Sequence, residues 1–234
     1  MRHIKSILPQ DTAGRMLFSI KTACQKPTPG LQRPHQAALP FNVSSVQTPD
    51  VPDVYSYIFM EVPTGTAWCH PTAIFPPAFF KQPMAARSIY LDYRCAPDYQ
   101  YPTQLNEALD LWDDLTKRQG YAPDQIILGG DSAGANLALA LLLKLRDLNK
   151  TMPRAAFCIS AWTDMTCNTQ SFRDNYGRDV MFGNKGKTLT EERLQTLMQG
   201  KIFSFLGNAD RTNPYVSPIF GDYHGFPPMF FSVG

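Results

Sequence analysis

The sequence predicts an α/β fold: a mostly parallel sheet flanked by helices. Three observations carry this. Short apolar runs rich in β-formers recur at "ARSIYLDYR", "DQIILGG", "RAAFCIS" and "PPMFFSVG". Stretches with apolar residues at helical spacing lie between them. Strands that alternate with helices are joined by crossovers, which leave neighbouring strands parallel.

The elements follow in chain order. Eleven prolines from Pro27 to Pro83 leave little room for long helices or central strands. Residues 1–50 are therefore expected to be irregular, and a domain is expected over 51–234, with a strand at "VYSYIFMEV". "ARSIYLDYR", Ala86 to Arg94, predicts a strand. Leu105, Ala108, Leu109, Trp112 and Leu115 then fall on one helical face, and Gly120 is a natural stop. "DQIILGG" is bounded by turn residues, as a buried parallel strand is. From Ala133 to Leu143 the chain is small or apolar almost all round, which predicts a buried helix. "RAAFCIS" is a further buried strand. In "TLTEERLQTLMQG", Thr188 and Glu191 form a capping-box pattern, with Leu194, Leu197 and Met198 on one face and Gly200 closing the helix. "PPMFFSVG" is the last strand.

Composition narrows the function classes. A chain of 234 residues suits one sizeable domain. A net charge of +2 is too small to point to nucleic acid or an anionic membrane. No apolar run reaches the roughly 20 residues of a membrane span, and the interrupted start "MRHIKSILPQ" is a poor signal peptide. The five cysteines show no CxxC spacing, so neither a disulfide framework nor a zinc site is expected. Free thiols point to a reducing, cytoplasmic location.

"GGDSAGAN", Gly129 to Asn136, is the stretch that carries chemistry. A bare GxSxG pattern is weak, but here Ser132 sits between a predicted buried strand and a predicted buried helix. Glycines at Gly130 and Gly134 let strand and helix approach closely around Asp131 and Ser132. The turn lifts the hydroxyl above the carboxyl end of the sheet, where open α/β folds bind ligands. The N–H of Ala133, at the positive end of the helix, is placed to meet an oxyanion. The competing reading makes Ser132 only an N-cap and Asp131 only a turn or helix-dipole residue.

Several separate stretches resemble the hormone-sensitive-lipase-like family of α/β hydrolases. They are the elbow Gly130-Asp131-Ser132-Ala133-Gly134, "DYRCAPDYQYP" from Asp92 to Pro102, "ISAWTD" from Ile159 to Asp164, and "NPYVSPIFGDYHGFPPMFFSVG". Together they cover residues 86–234. The resemblance implies an α/β-hydrolase fold and a serine carboxylic ester hydrolase with Ser132 as nucleophile. It implies a small-molecule ester substrate, an acyl-enzyme, and no metal or organic cofactor. It gives Asp92 and Arg94 a structural role, as a pair that ties the following loop down. Residues from about Thr166 to Asn213, with Phe172, Tyr176, Met181, Phe182, Phe203 and Phe205, are expected to contribute to a substrate pocket or its cover.

The chain departs from the family pattern in three places. "MEVPTGTAWCHPTAIFPP" holds one glycine, Gly65, and one histidine, His70, where an HGGG segment is expected. The triad acid and then the histidine are expected after Gly234, which predicts a fold incomplete at its C-terminal end, lacking its last helix and strand. His224 is expected on a surface loop, and Asp210 and Asp222 in turns. Two further readings stay open: a ligand-binding homologue without catalysis, as in the plant gibberellin receptors, and a non-functional truncated fragment.

Overall fold

A computed structural model describes residues 42–46, 56–61, 88–179 and 183–233. Among these residues, six strands form one sheet: β1 (Asn42–Val46), β2 (Ser56–Glu61), β3 (Ser88–Asp92), β4 (Ile126–Asp131), β5 (Ala155–Ile159) and β6 (Met229–Ser232). Their order is β1-β3-β2-β4-β5-β6. Only β1 runs antiparallel, against β3; every other pairing is parallel. The mostly parallel sheet predicted from the sequence is therefore present. β1 falls inside the segment expected to be irregular, so the sheet begins earlier in the chain than residue 51. The strand expected at "VYSYIFMEV" is β2.

Among the described residues, four α-helices accompany the sheet: α1 (Thr103–Asp113), α2 (Ala133–Asp147), α3 (Gln170–Asn175) and α4 (Glu191–Met198). α2 packs on β4, β2 and β5, and α1 packs on α2. This explains the composition of α2. A helix between a sheet and another helix has almost no wet side, and Ala138, Leu141, Leu142 and Leu145 are at most 0% exposed. Burying each leucine contributes roughly 1.5–3 kcal/mol.

The buried face of α1 differs from its predicted stripe. Leu105, Ala108, Leu111, Trp112 and Leu115 are buried, while Leu109 is only partly covered. The arc is turned towards Leu111, and Glu107, at 2% exposure, is buried with it. The buried Glu107 side chain is met twice by Arg94. The Arg94 backbone N–H donates to Oε2 at 2.9 Å, and its guanidinium Nε donates to Oε1. Arg94 also lies 4.4 Å from the Tyr99 ring centroid. Gln104 Nε2 donates to the carbonyls of Arg94, at 2.7 Å, and Tyr99, at 2.9 Å. The loop after β3 is thus tied down as expected, with Glu107 as the carboxylate that does it. The side chain of Asp92 lies outside the described residues.

The start of α4 is also corrected. Its N-cap is Thr190, whose hydroxyl accepts from the Arg193 N–H. Thr188 instead offers its carbonyl to the Arg193 guanidinium at 2.9 Å. Thr190 has an extended backbone immediately before the first helical residue, which is the geometry a capping hydroxyl needs.

A second apolar cluster stands apart from the main core. It holds Met165, Cys167, Leu189, Leu194, Phe203, Leu206 and Val216. Arg211 stitches it together, donating to the carbonyls of Met165 at 2.7 Å and Met198 at 2.8 Å. Its guanidinium also lies 4.6 Å from the Phe203 ring centroid. At the sheet edge, β6 leaves Phe230 56% and Phe231 48% exposed.

Candidate active site

The site is built at the carboxyl end of β4. Ile126 and Leu128 are at 0% exposure and anchor the strand in the core. Beyond them the chain uses glycine because nothing larger fits. A Cβ on Gly129 would stand 2.1 Å from the Phe157 ring. A Cβ on Gly130 would stand 2.4 Å from the Gly134 carbonyl carbon and 2.6 Å from the Ala135 nitrogen. The second contact is with backbone, so the strand and α2 touch main chain to main chain, as the elbow pattern predicts.

Ser132 makes the turn between them with φ 50° and ψ −115°. A non-glycine residue there costs on the order of 1–3 kcal/mol, and it persists only where its surroundings hold it. The surroundings are specific. The Ser132 N–H donates to the Ile159 carbonyl at 2.9 Å, and the Ser132 carbonyl accepts from the N–H groups of Asn136 and Trp162, both at 3.1 Å. The loop after β5 thus grips the elbow from the side. The Ser132 hydroxyl makes no capping hydrogen bond. The position precedes α2, but its side chain does not do an N-cap's work.

Asp131 ends β4, and burial pushes its carboxyl above the ordinary carboxylate range, partly offset by its own backbone N–H. Ala133 opens α2, so its N–H belongs to the first turn, where amides lack an intrahelical acceptor. Asn136, one turn on, is 7% exposed. Its Nδ2 donates to the carbonyls of Trp162 at 2.8 Å and Val216 at 2.9 Å. Sequence reasoning missed Asn136. Its signal was there: it is the one polar side chain between Gly134 and Leu143.

A cleft of about 400 Å³ opens where β5 and β6 end, between Ser160, Ala161, Val233 and the α3 side of Phe172, Asn175 and Tyr176. Ser160 and Ala161 lie between Ile159 and Trp162, both bonded to Ser132, so the cleft adjoins the loop that holds the elbow. Phe172 and Tyr176 line it and also pack against the second cluster, whereas Phe203 and Phe205 belong to that cluster alone. Met181 and Phe182 lie outside the described residues.

His224 is exposed, and its N–H donates to Asp222 Oδ1 at 2.9 Å. Asp210 Oδ1 accepts the Thr212 N–H and hydroxyl, both at 2.8 Å. Both aspartates are turn residues, as their sequence context predicts. His70 and Gly65 lie outside the described residues. Among the described residues, Cys95, Cys158 and Cys167 form no disulfide. Burial pushes the Cys158 thiol up to about 12 and Cys167 to about 11, so neither is a thiolate near neutrality. Among the described residues, no group of three His, Cys, Asp or Glu side chains could hold a metal ion, and no helix is long and apolar enough to cross a membrane.

The model of the α/β hydrolase fold family matches residues 65–234. An acetyl-hydrolase of Streptomyces hygroscopicus is 34% identical over 149 residues, which are 64% of this chain and 46% of that protein. An esterase of Acinetobacter venetianus is 36% identical over 146 residues, 62% of this chain and 45% of that protein. The chain spans about half the length of these curated relatives. An esterase from the bacterial hormone-sensitive lipase family superposes with a TM-score of 0.62 at 26% identity, over 83% of this chain and 61% of that one. The EstE5 structure soaked by ethyl alcohol gives 0.67 at 26% identity, over 86% and 64%. The sheet order, the turn at Ser132 and these matches agree: the chain belongs to the α/β hydrolase fold family and is of its hormone-sensitive-lipase-like type.

Proposed function

We propose that the chain carries the nucleophile of a carboxylic ester hydrolase, with Ser132 attacking the ester carbonyl of a small-molecule substrate. The observation that carries this reading is the Ser132 backbone, held at φ 50° and ψ −115° between β4 and α2 with its hydroxyl uncommitted to capping. The esterase and acetyl-hydrolase names of the relatives support the reaction class.

In the proposed step, Ser132 Oγ bonds to the carbonyl carbon as a base takes its proton. The carbonyl oxygen becomes an oxyanion facing the Ala133 N–H. The C–O bond to the alcohol then breaks, and the alcohol leaves with that proton. Water hydrolyses the acyl-Ser132 ester, returning the serine. Gly130, Asp131 and Gly134 shape the turn. A backbone donor at the oxyanion is worth about 2.7–4 kcal/mol in the transition state. The family pattern places the acid and the base after the segment matched here, and His224, the one histidine among the described residues, is exposed. A cytoplasmic location is part of the reading, supported by the free thiols of Cys158 and Cys167 and tested by cell fractionation.

A small fluorophosphonate tests the proposal. The expected result is a covalent adduct mapped by mass spectrometry to Ser132 and lost in Ser132→Ala. Folded protein that stays unlabelled refutes it. Saturable binding of esters without adduct or turnover would favour the non-catalytic ligand-binding reading.

A further inference from the structure

We propose that Asn136 is a positioning residue that fixes the Ser132 backbone, an inference that rests on Ser132 being the nucleophile. The chain of contacts is short. Asn136 Nδ2 donates to the Trp162 carbonyl at 2.8 Å and to the Val216 carbonyl at 2.9 Å. The Trp162 N–H donates to the Ser132 carbonyl at 3.1 Å, and the Asn136 N–H donates to the same oxygen at 3.1 Å. The Ser132 carbonyl therefore sits in a fork whose two prongs are joined by the Asn136 side chain. Ser160, in the same loop, has φ 46°, so the loop that grips the elbow is itself in a conformation that relaxes if released.

The residue type fits this task. Both partners are carbonyl oxygens, so the side chain must present two N–H donors, and it must be short enough to reach the loop from the first turn of α2. Asparagine meets both demands; aspartate and leucine supply no donor at neutral pH, and serine supplies one. At 7% exposure, water does not replace the missing donors. The neighbouring helix positions are Gly134, Ala135, Leu137 and Ala138, so packing alone would have been served by an apolar residue. The Val216 contact extends the tie to the segment that leads into β6, so one side chain holds α2, the β5 loop and the chain before β6 in register.

The test compares four single variants of the full chain. Asn136→Leu and Asn136→Ser remove two donors and one donor. Asn136→Asp supplies a donor only when protonated. Leu145→Ala opens a cavity at the far end of α2, where Leu145 is at 0% exposure, and serves as the control for lost stability. Fluorophosphonate labelling of Ser132 is expected to slow on the order of 10–100-fold in Asn136→Leu, less in Asn136→Ser, and by under about twofold in Leu145→Ala at equal or greater loss of stability. The deficit of Asn136→Asp relative to the parent protein is expected to shrink as pH falls, because the protonated carboxyl regains one donor. Equal slowing in Asn136→Leu and Leu145→Ala, or an Asn136→Asp ratio flat with pH, overturns the proposal. If Asn136→Leu does not fold, Asn136→Ser and Asn136→Asp carry the comparison. If the parent protein itself takes no label, the nucleophile reading fails, and hydrogen exchange decides the clamp alone. A Trp162 amide that exchanges at least about tenfold faster in the Asn136 variants than in Leu145→Ala supports the clamp; equal exchange overturns it.

Discussion

Gly130→Ala probes the elbow with a single methyl group. The new Cβ would stand 2.4 Å from the Gly134 carbonyl carbon, 2.5 Å from its oxygen and 2.6 Å from the Ala135 nitrogen, whereas ordinary contact begins at 3.4 Å. All three neighbours are backbone, so no side chain can rotate away. The start of α2 must retreat from β4 by about 1 Å, or the strand must bend. Overpacking of this kind costs about 1–3 kcal/mol, and a 1 Å displacement of a reacting group costs on the order of 10²-fold in rate. Urea unfolding measures the first quantity, and the rate of fluorophosphonate labelling measures the second. The matched control is Gly120→Ala. Its Cβ would meet nothing within 4 Å, but its φ is +76°, so it pays only the left-handed backbone strain of about 1–2 kcal/mol and leaves labelling unchanged. A Gly130→Ala protein that unfolds at the parent urea concentration and labels at the parent rate refutes the close-approach account of the elbow.

Three further outcomes follow from the same geometry. Arg94→Ala leaves the buried Glu107 side chain only the residue-94 backbone N–H of its two Arg94 donors and is expected to lower the urea midpoint; urea unfolding checks this, and Glu107→Gln should cost less. Arg211→Ala removes two charged donors from main-chain carbonyls of the second cluster and is expected to cost about 3 kcal/mol, read as a lower thermal midpoint. Cys158 and Cys167 should resist iodoacetamide at pH 8 until the protein is denatured. Their folded thiols are raised from 9.0 to about 12 and about 11, so the folded state keeps protons that the unfolded state loses first. Their contribution is fully present below about pH 9 and is lost as pH rises towards 11–12; stability that does not fall over that window would contradict the burial of these thiols.

Strands announced themselves as continuous apolar runs, as at Ile126 to Leu128 and Ala155 to Ile159, although one face of β5 is only partly covered. β1 did not, because "NVSSV" is short and half polar and becomes a strand only by pairing with β3. The α1 stripe was nearly legible, and the shift to Leu111 came from a tertiary fact, the second packing surface on α2. At the site, the glycines and Ser132 were legible because the turn restricts residue type at each position. The partner of Arg94 was not: it is thirteen residues away on the next helix, and the family resemblance drew attention to Asp92 instead. The Asn136 clamp spans 80 residues to Val216, a separation at which no local pattern reports a contact.

The two apolar clusters have a consequence for how such a molecule can change over generations. Arg211 and the residues around it interact largely among themselves, while the sheet, α1 and α2 form the other cluster. Substitutions in one group therefore reach the other mainly through Tyr101, which packs on both, and through the Asn136–Val216 hydrogen bond. The aromatic wall of the cleft, at Phe172 and Tyr176, belongs with the smaller group, whereas Ser132 stands between β4 and α2 in the larger one. The cleft wall and the Ser132 turn thus sit in different clusters, joined through the hydrogen bonds of Asn136 to Trp162 and Val216. Libraries that randomise the smaller cluster should retain the folded sheet at a higher frequency than libraries of equal size drawn from α2.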